Sequence, residues 1–221
     1  MGAPWNMRMH GTRVGAKALV GSVVAVGVIT LVSGIAPAAG HQSWLLEVIP
    51  GLLLVGAFIV LYKRFPFSNL IYINAVFHYA ILAYGGFYTY AETPLGNWAK
   101  EAFHLSRNHY DRIGHLALGF FPALIIREVL LRRTPLVPGG WLTFIVLNIA
   151  LSIGASWEFI EWWTTLFVAG DVGQAFLGSQ GDVWDAQWDM LLALVGAAVS
   201  LVVLRPLHDR SMAKLFASAP R

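Results

Sequence analysis

Residues 141–167 read WLTFIVLNIALSIGASWEFIEWWTTLF, a run without a single lysine or arginine. A helix needs ~20 predominantly apolar residues to cross a hydrocarbon core. This run exceeds one crossing, which predicts a helix that tilts or projects beyond the bilayer. Its carboxylates, Glu158 and Glu161, come late. At 1.5 Å per residue, Glu158 stands ~26 Å along the helix from Trp141, close to the far interface. Carboxylates beside tryptophan at the edge of lipid are costly to keep and tend to be functional.

Five further apolar runs accompany this one: Ala18–Ile35, Leu45–Tyr62, Leu70–Tyr88, Ile113–Leu131 and Asp189–Leu204. Turn-forming residues separate them: Pro37 and Gly40, Pro66, Pro94 and Gly96, then Pro135, Pro138, Gly139 and Gly140. Gly170, Gly173, Gly178 and Gly181 divide the last two. The expected fold is therefore all-α, a polytopic membrane bundle of about six transmembrane helices. The membrane domain occupies 18–204, with basic tails at 1–17 and 205–221. Composition agrees, since hydrophobic residues make up 57% of the chain and charged ones 12%. A soluble domain carries about twice that charge fraction. Cysteine is absent, which excludes disulfides, thiolate chemistry and Cys-ligated metals.

The net charge of +3 does not point to nucleic acid. Lys and Arg flank the apolar runs, where they orient helices rather than track phosphates. Twelve of the fifteen precede span one, close span four, or follow spans two and six. Only Lys100, Arg107 and Arg112 fall at the other end, so both termini are expected in the cytoplasm. Ala36–Pro37–Ala38 resembles a signal-peptide cleavage site, but the preceding run is longer than the usual apolar region of a signal peptide. A retained first helix is expected.

Ten of the twelve acidic residues fall at the outer end. Three segments concentrate them. Asp111 and His115 are four apart at the mouth of span four and share a helix face, with His109 just before them. Glu158 and Glu161 share a face of span five. Asp182, Asp185 and Asp189 form one stripe if the last span begins near Asp182; capping of a helix N-terminus accounts for one or two of them. Within the membrane, His78 lies near the midplane of span three, one turn beyond Asn74. Seven of the nine tryptophans lie on the outer side, as in an interfacial belt.

The strings at 110–120 (YDRIGHLALGF), 158–162 (EFIEW) and 181–190 (GDVWDAQWDM) closely resemble the YjdF-like family, bacterial inner-membrane proteins of unassigned function. The likeness spans roughly Leu45 to Leu204 and implies a multi-pass inner-membrane location. A looser likeness, confined to short motifs, is to VanZ-like membrane proteins.

Mixed imidazole and carboxylate donors suit Zn, Mn or Fe. The leading expectation is a metal-dependent hydrolase or transferase acting at the outer leaflet on a lipid-linked or envelope substrate. His109, His115, Glu158, Asp182 and Asp185 are its candidate ligands. Glu161 or Asp189 is the candidate general base toward water, and Asp111 orients His115. Arg107 and Arg112 are placed to hold an anionic head group. In the alternative, a cation-binding transporter or accessory protein, His78 and Asn74 continue a path inward. The bilayer is the one partner expected in either case.

Overall fold

The computed structural model describes residues 15–167 and 176–217. Arg8, Arg13, Arg221 and the breakers Gly170 and Gly173 lie outside them. The described helices are α1 (Ala16–Gly34), α2 (Gly40–Leu61), α3 (Asn69–Tyr88), α4 (Pro94–Ala102), α5 (Tyr110–Arg133), α6 (Gly140–Phe167), α7 (Asp185–Val203) and α8 (Arg205–Ala217). Six of them, α1, α2, α3, α5, α6 and α7, are long and apolar enough to cross a membrane. No strand occurs among the described residues. Val24, Leu53, Val60, Phe144 and Val202 face outward, the apolar surface expected of a bundle solvated by lipid.

Hydrophobicity cannot hold such helices together when lipid is equally apolar, so close packing must. The tightest crossing joins α5 and α7. A side chain at Gly119 would overlap the Ala193 carbonyl, and one at Gly196 would overlap that of Leu116. These two glycines let the backbones touch, which brings the outer ends of α5 and α7 into register. α6 packs along both, while α2 packs on α1 and α3.

Two stretches differ from the expected layout. The connection at 89–109 holds a 3₁₀ turn, Tyr90–Glu92, and then α4. Pro94 opens that helix instead of breaking structure, because a first-turn residue needs no N–H partner. The segment after the last span, which composition marks as a basic tail, folds as α8 with His208, Met212 and Leu215 buried. Buried charges pin it. Arg132 donates to Glu128 Oε1 at 2.8 Å and to the Pro66 carbonyl at 2.7 Å, and the Ser68 amide donates to the same Glu128 oxygen at 3.0 Å. Arg127 Nη1 lies 2.8 Å from His208 Nδ1, and His208 Nε2 lies 3.0 Å from Glu128 Oε2. Because a guanidinium only donates, Nδ1 is the acceptor and the imidazole donates its one proton to Glu128. At this end every buried acid meets a base from the chain itself.

The glycine crossing is open to test. Gly119→Val forces α5 and α7 apart and destabilises the fold by about 3 kcal/mol, the upper range for overpacking. Gly56→Ala adds a methyl group where nothing lies within 4 Å, and is neutral. Unfolding curves in detergent micelles compare the two.

Candidate functional site

Asn108 organises the acidic end of the bundle. Its side-chain oxygen accepts the Tyr110 N–H at 3.0 Å, capping α5 one residue before the usual position. Its amide donates to the Thr93 carbonyl and to Asn97 Oδ1, both at 3.0 Å, which ties α4 to the start of α5. Gln180 then clasps its backbone: Nε2 donates to the Asn108 carbonyl at 2.7 Å and Oε1 accepts the Asn108 N–H at 3.2 Å. The left-handed backbone at Gly178, Gln180 and Gly181 shapes the turn that presents this amide.

The clasp decides the fate of both outer arginines. Arg107 donates to the Ser179 carbonyl and pairs with Asp185 at 2.5 Å, largely buried. Arg112 pairs with Asp182 at 2.9 Å and lies over the Trp188 ring at 5.2 Å. Asp182 does not join the helical stripe expected of it. α7 begins at Asp185, and Asp182 sits in the preceding turn, where its carboxylate accepts the Trp184 N–H at 3.0 Å. That amide, with the two arginines, holds the Asp182 carboxyl below its ordinary range. His109, the residue before α5, is likewise outside the central cluster. Burial, followed by the charges of Arg112 and Arg107, pushes its imidazole below the ordinary value.

The remaining acids converge on one ring. His115 is 3% exposed, and carboxylates from three helices surround it. Nε2 lies 3.6 Å from Asp111 Oδ1, 3.7 Å from Glu161 Oε1 and 3.9 Å from Asp189 Oδ2, and Nδ1 lies 3.6 Å from Glu158 Oε1. The i,i+4 spacing delivers Asp111, the i,i+3 spacing delivers both glutamates from α6, and the glycine crossing delivers Asp189. All four separations are too long for hydrogen bonds. They are close to the roughly 3.4 Å edge between donors that share an ion at 2.0–2.2 Å. Two sets could hold a metal, Asp111–His115–Asp189 and His115–Glu158–Glu161. Asp111 Oδ2, His115 Nδ1, Glu158 Oε1 and Asp189 Oδ1 are buried without a hydrogen-bond partner.

One further carboxylate belongs here that the residue spacing did not single out. Glu47 of α2 is buried on the opposite side of the same cavity, where it feels the charges of Glu161, Asp111 and His115 and meets the Tyr90 side chain. Glycines make room for it: a side chain at Gly86 would overlap Glu47, while Gly85 and Gly114 flank the Tyr90 ring. Burial, and then the Glu47 charge, raise the Tyr90 hydroxyl well above its ordinary pKa. The available signal was an acid three residues into an otherwise uncharged apolar span.

The cavity holds about 250 Å³. Glu47, Asp111, His115 and Glu161 line its outer part, and Leu54, Leu118 and Ile153 its apolar walls. It reaches His78, whose ring stacks on Phe121 at 5.3 Å. His78 Nε2 and Asn74 Nδ2 are buried without partners. The in-helix prolines Pro50 and Pro122 also line it, each leaving a carbonyl of the preceding turn without its usual donor. Among the described residues, no lysine or arginine lines this space. Of the outer tryptophans, Trp44 is buried beneath Gly34 and Trp157 lines the cavity, whereas Trp98, Trp162, Trp163, Trp184 and Trp188 remain exposed as a belt.

Six apolar spans around a polar, mostly buried site define a multi-pass membrane protein. The profile of a family described as "Predicted membrane protein (DUF2238)" matches residues 18–210, and the chain belongs to that family. It is 39% identical over 191 residues to the inner membrane protein YjdF of Escherichia coli (strain K12), covering 86% of this chain and 90% of that one. The match carries the inner-membrane location. No solved structure matches.

The two arginine pairs differ in burial and so in consequence. Arg107→Ala strands Asp185 and costs about 3–5 kcal/mol, the range for breaking a buried pair. Arg107→Ala combined with Asp185→Ala costs less than the two singles summed. Arg112→Ala, at a partly solvated pair, has a much smaller effect. Unfolding in micelles, read as a double-mutant cycle, checks all three.

Proposed function

We propose that this protein binds a divalent cation at His115 and uses it for hydrolysis or group transfer at the outer leaflet. The carrying observation is the ring of Asp111, Glu158, Glu161 and Asp189 around one buried imidazole, with no basic side chain among them. Zn, Mn or Fe fits this donor set. When bound, the ion supplies Lewis acidity and lowers the pKa of a coordinated water.

The roles of the residues follow from which of them face the cavity. Glu158, at Nδ1, and Asp189, at Nε2, suit ligation in alternative sets, Glu158 with Glu161 and Asp189 with Asp111. Asp111, with one oxygen toward Nε2, orients the ring or joins the ligands. Glu161 faces the cavity and is the better-placed general base, with Glu47 a second proton acceptor across the space. Arg107 and Arg112 are occupied by Asp185 and Asp182, so the charge of an anionic head group falls to the cation to balance. The apolar walls below suit the hydrocarbon part of a lipid-linked substrate. The basic-residue bias supports a reading with this end of the bundle outside and both termini in the cytoplasm.

Metal analysis of the purified protein, beside His115→Ala and Glu158→Ala, tests the reading. The expected result is near-stoichiometric metal in the wild type and its loss in both variants. Absence of metal under several loading conditions, or retention in both variants, contradicts it.

The extension of the cavity to His78 favours a second reading, cation or proton movement along the same path. Flux into proteoliposomes that His78→Ala abolishes supports transport. Unchanged flux in that variant removes it.

A further inference from the structure

A second cavity, of about 560 Å³, lies at the opposite, basic end. It sits between the start of α6 and the end of α7, at the level of a membrane interface. Leu142, Val146 and Leu147 of α6 and Leu201 and Val202 of α7 make its apolar walls. Arg127 closes the back, and Arg205 and Asp209 stand at the rim. Pro138 and Gly139, in the turn before α6, border the entrance without a bulky side chain.

The charges in this cavity are arranged around one anion. Arg127 is 2% exposed, and its Nη1 is committed to His208. Its Nη2 makes no hydrogen bond within the bundle and is ion-paired with Asp209 Oδ1 at 2.7 Å. Arg205 Nε is 4.0 Å from Asp209 Oδ2. One carboxylate therefore stands between two guanidiniums, close to Arg127 and at 4.0 Å from Arg205. The Asp209 side chain is 43% exposed.

We propose that this cavity binds the phosphodiester head group of an anionic phospholipid, with Arg127 Nη2 and Arg205 as its donors. Asp209 occupies the anion position in the absence of lipid. Two cations and one internal carboxylate leave a single positive charge, which one phosphodiester balances. A tetrahedral phosphate offers oxygens to both guanidiniums, whereas the carboxylate stands close to one of them only. The apolar walls place acyl chains directly below, which favours a lipid over a free anion. Basic pockets between transmembrane helices are established sites for anionic lipid head groups. This inference is independent of the cation reading at the outer end.

Binding to the full-length protein in detergent, followed by native mass spectrometry, tests it with three probes: phosphatidylglycerol, diacylglycerol with the same chains, and inorganic phosphate. Phosphatidylglycerol binds, and neither control matches it. Arg205→Gln removes an exposed side chain without disturbing the buried network and weakens phosphatidylglycerol about tenfold, the loss of one charge-assisted hydrogen bond. Asp209→Asn removes the competing carboxylate and tightens it. Diacylglycerol binding as well as phosphatidylglycerol, inorganic phosphate occupying the site in its place, or full affinity in Arg205→Gln overturns the proposal.

Discussion

Like charges buried in a membrane bundle repel strongly, and the arrangement around His115 has to be understood from that constraint. Two carboxylates 4 Å apart repel by about 4 kcal/mol even at the effective dielectric of a protein surface. Asp111, Glu158, Glu161 and Asp189 all stand within 3.9 Å of the same ring, and Glu47 faces them across a cavity. The arginines that could have neutralised them are drawn away by Asp185 and Asp182 and held there by the Asn108–Gln180 clasp. A cation, or protons, must make up the difference.

The basic end shows the same chain solving the same problem in another way. Glu128 is buried as deeply as any acid among the described residues, yet it is met by Arg132, His208 and the Ser68 amide. Where internal pairing suffices, the bundle uses it, and α8 is docked as a result. The unpaired acids at the outer end are thus a local feature, not a general tolerance for buried charge. The cluster around His115 depends on a helix approach distance that glycine sets. Without Gly119 and Gly196, Asp189 on α7 would stand too far from His115 on α5.

Much of this was legible in the residues. The apolar runs located the six crossings to within a few residues, because span length is imposed by the bilayer. Asp111 with His115, and Glu158 with Glu161, were readable as pairs because helical spacing alone fixes their shared faces. The less legible parts depend on tertiary partners. Asp182 and Asp185 looked alike in the sequence, but a turn hydrogen bond to Trp184 keeps one out of the helix, and Arg107 claims the other. Glu47 carries no motif, and only the packing of α2 on Gly86 reveals its place. α8 read as a basic tail because its anchoring residue, His208, is polar and its acidic partner lies on another helix.

X-ray absorption spectroscopy at the metal edge, on protein loaded with Zn, Mn or Fe, tests the central claim most directly. The account predicts one imidazole nitrogen among carboxylate oxygens, with first-shell distances of about 2.0–2.2 Å for zinc, and loss of the imidazole signature in His115→Ala. A metal coordinated without imidazole, or a spectrum unchanged in that variant, would contradict it.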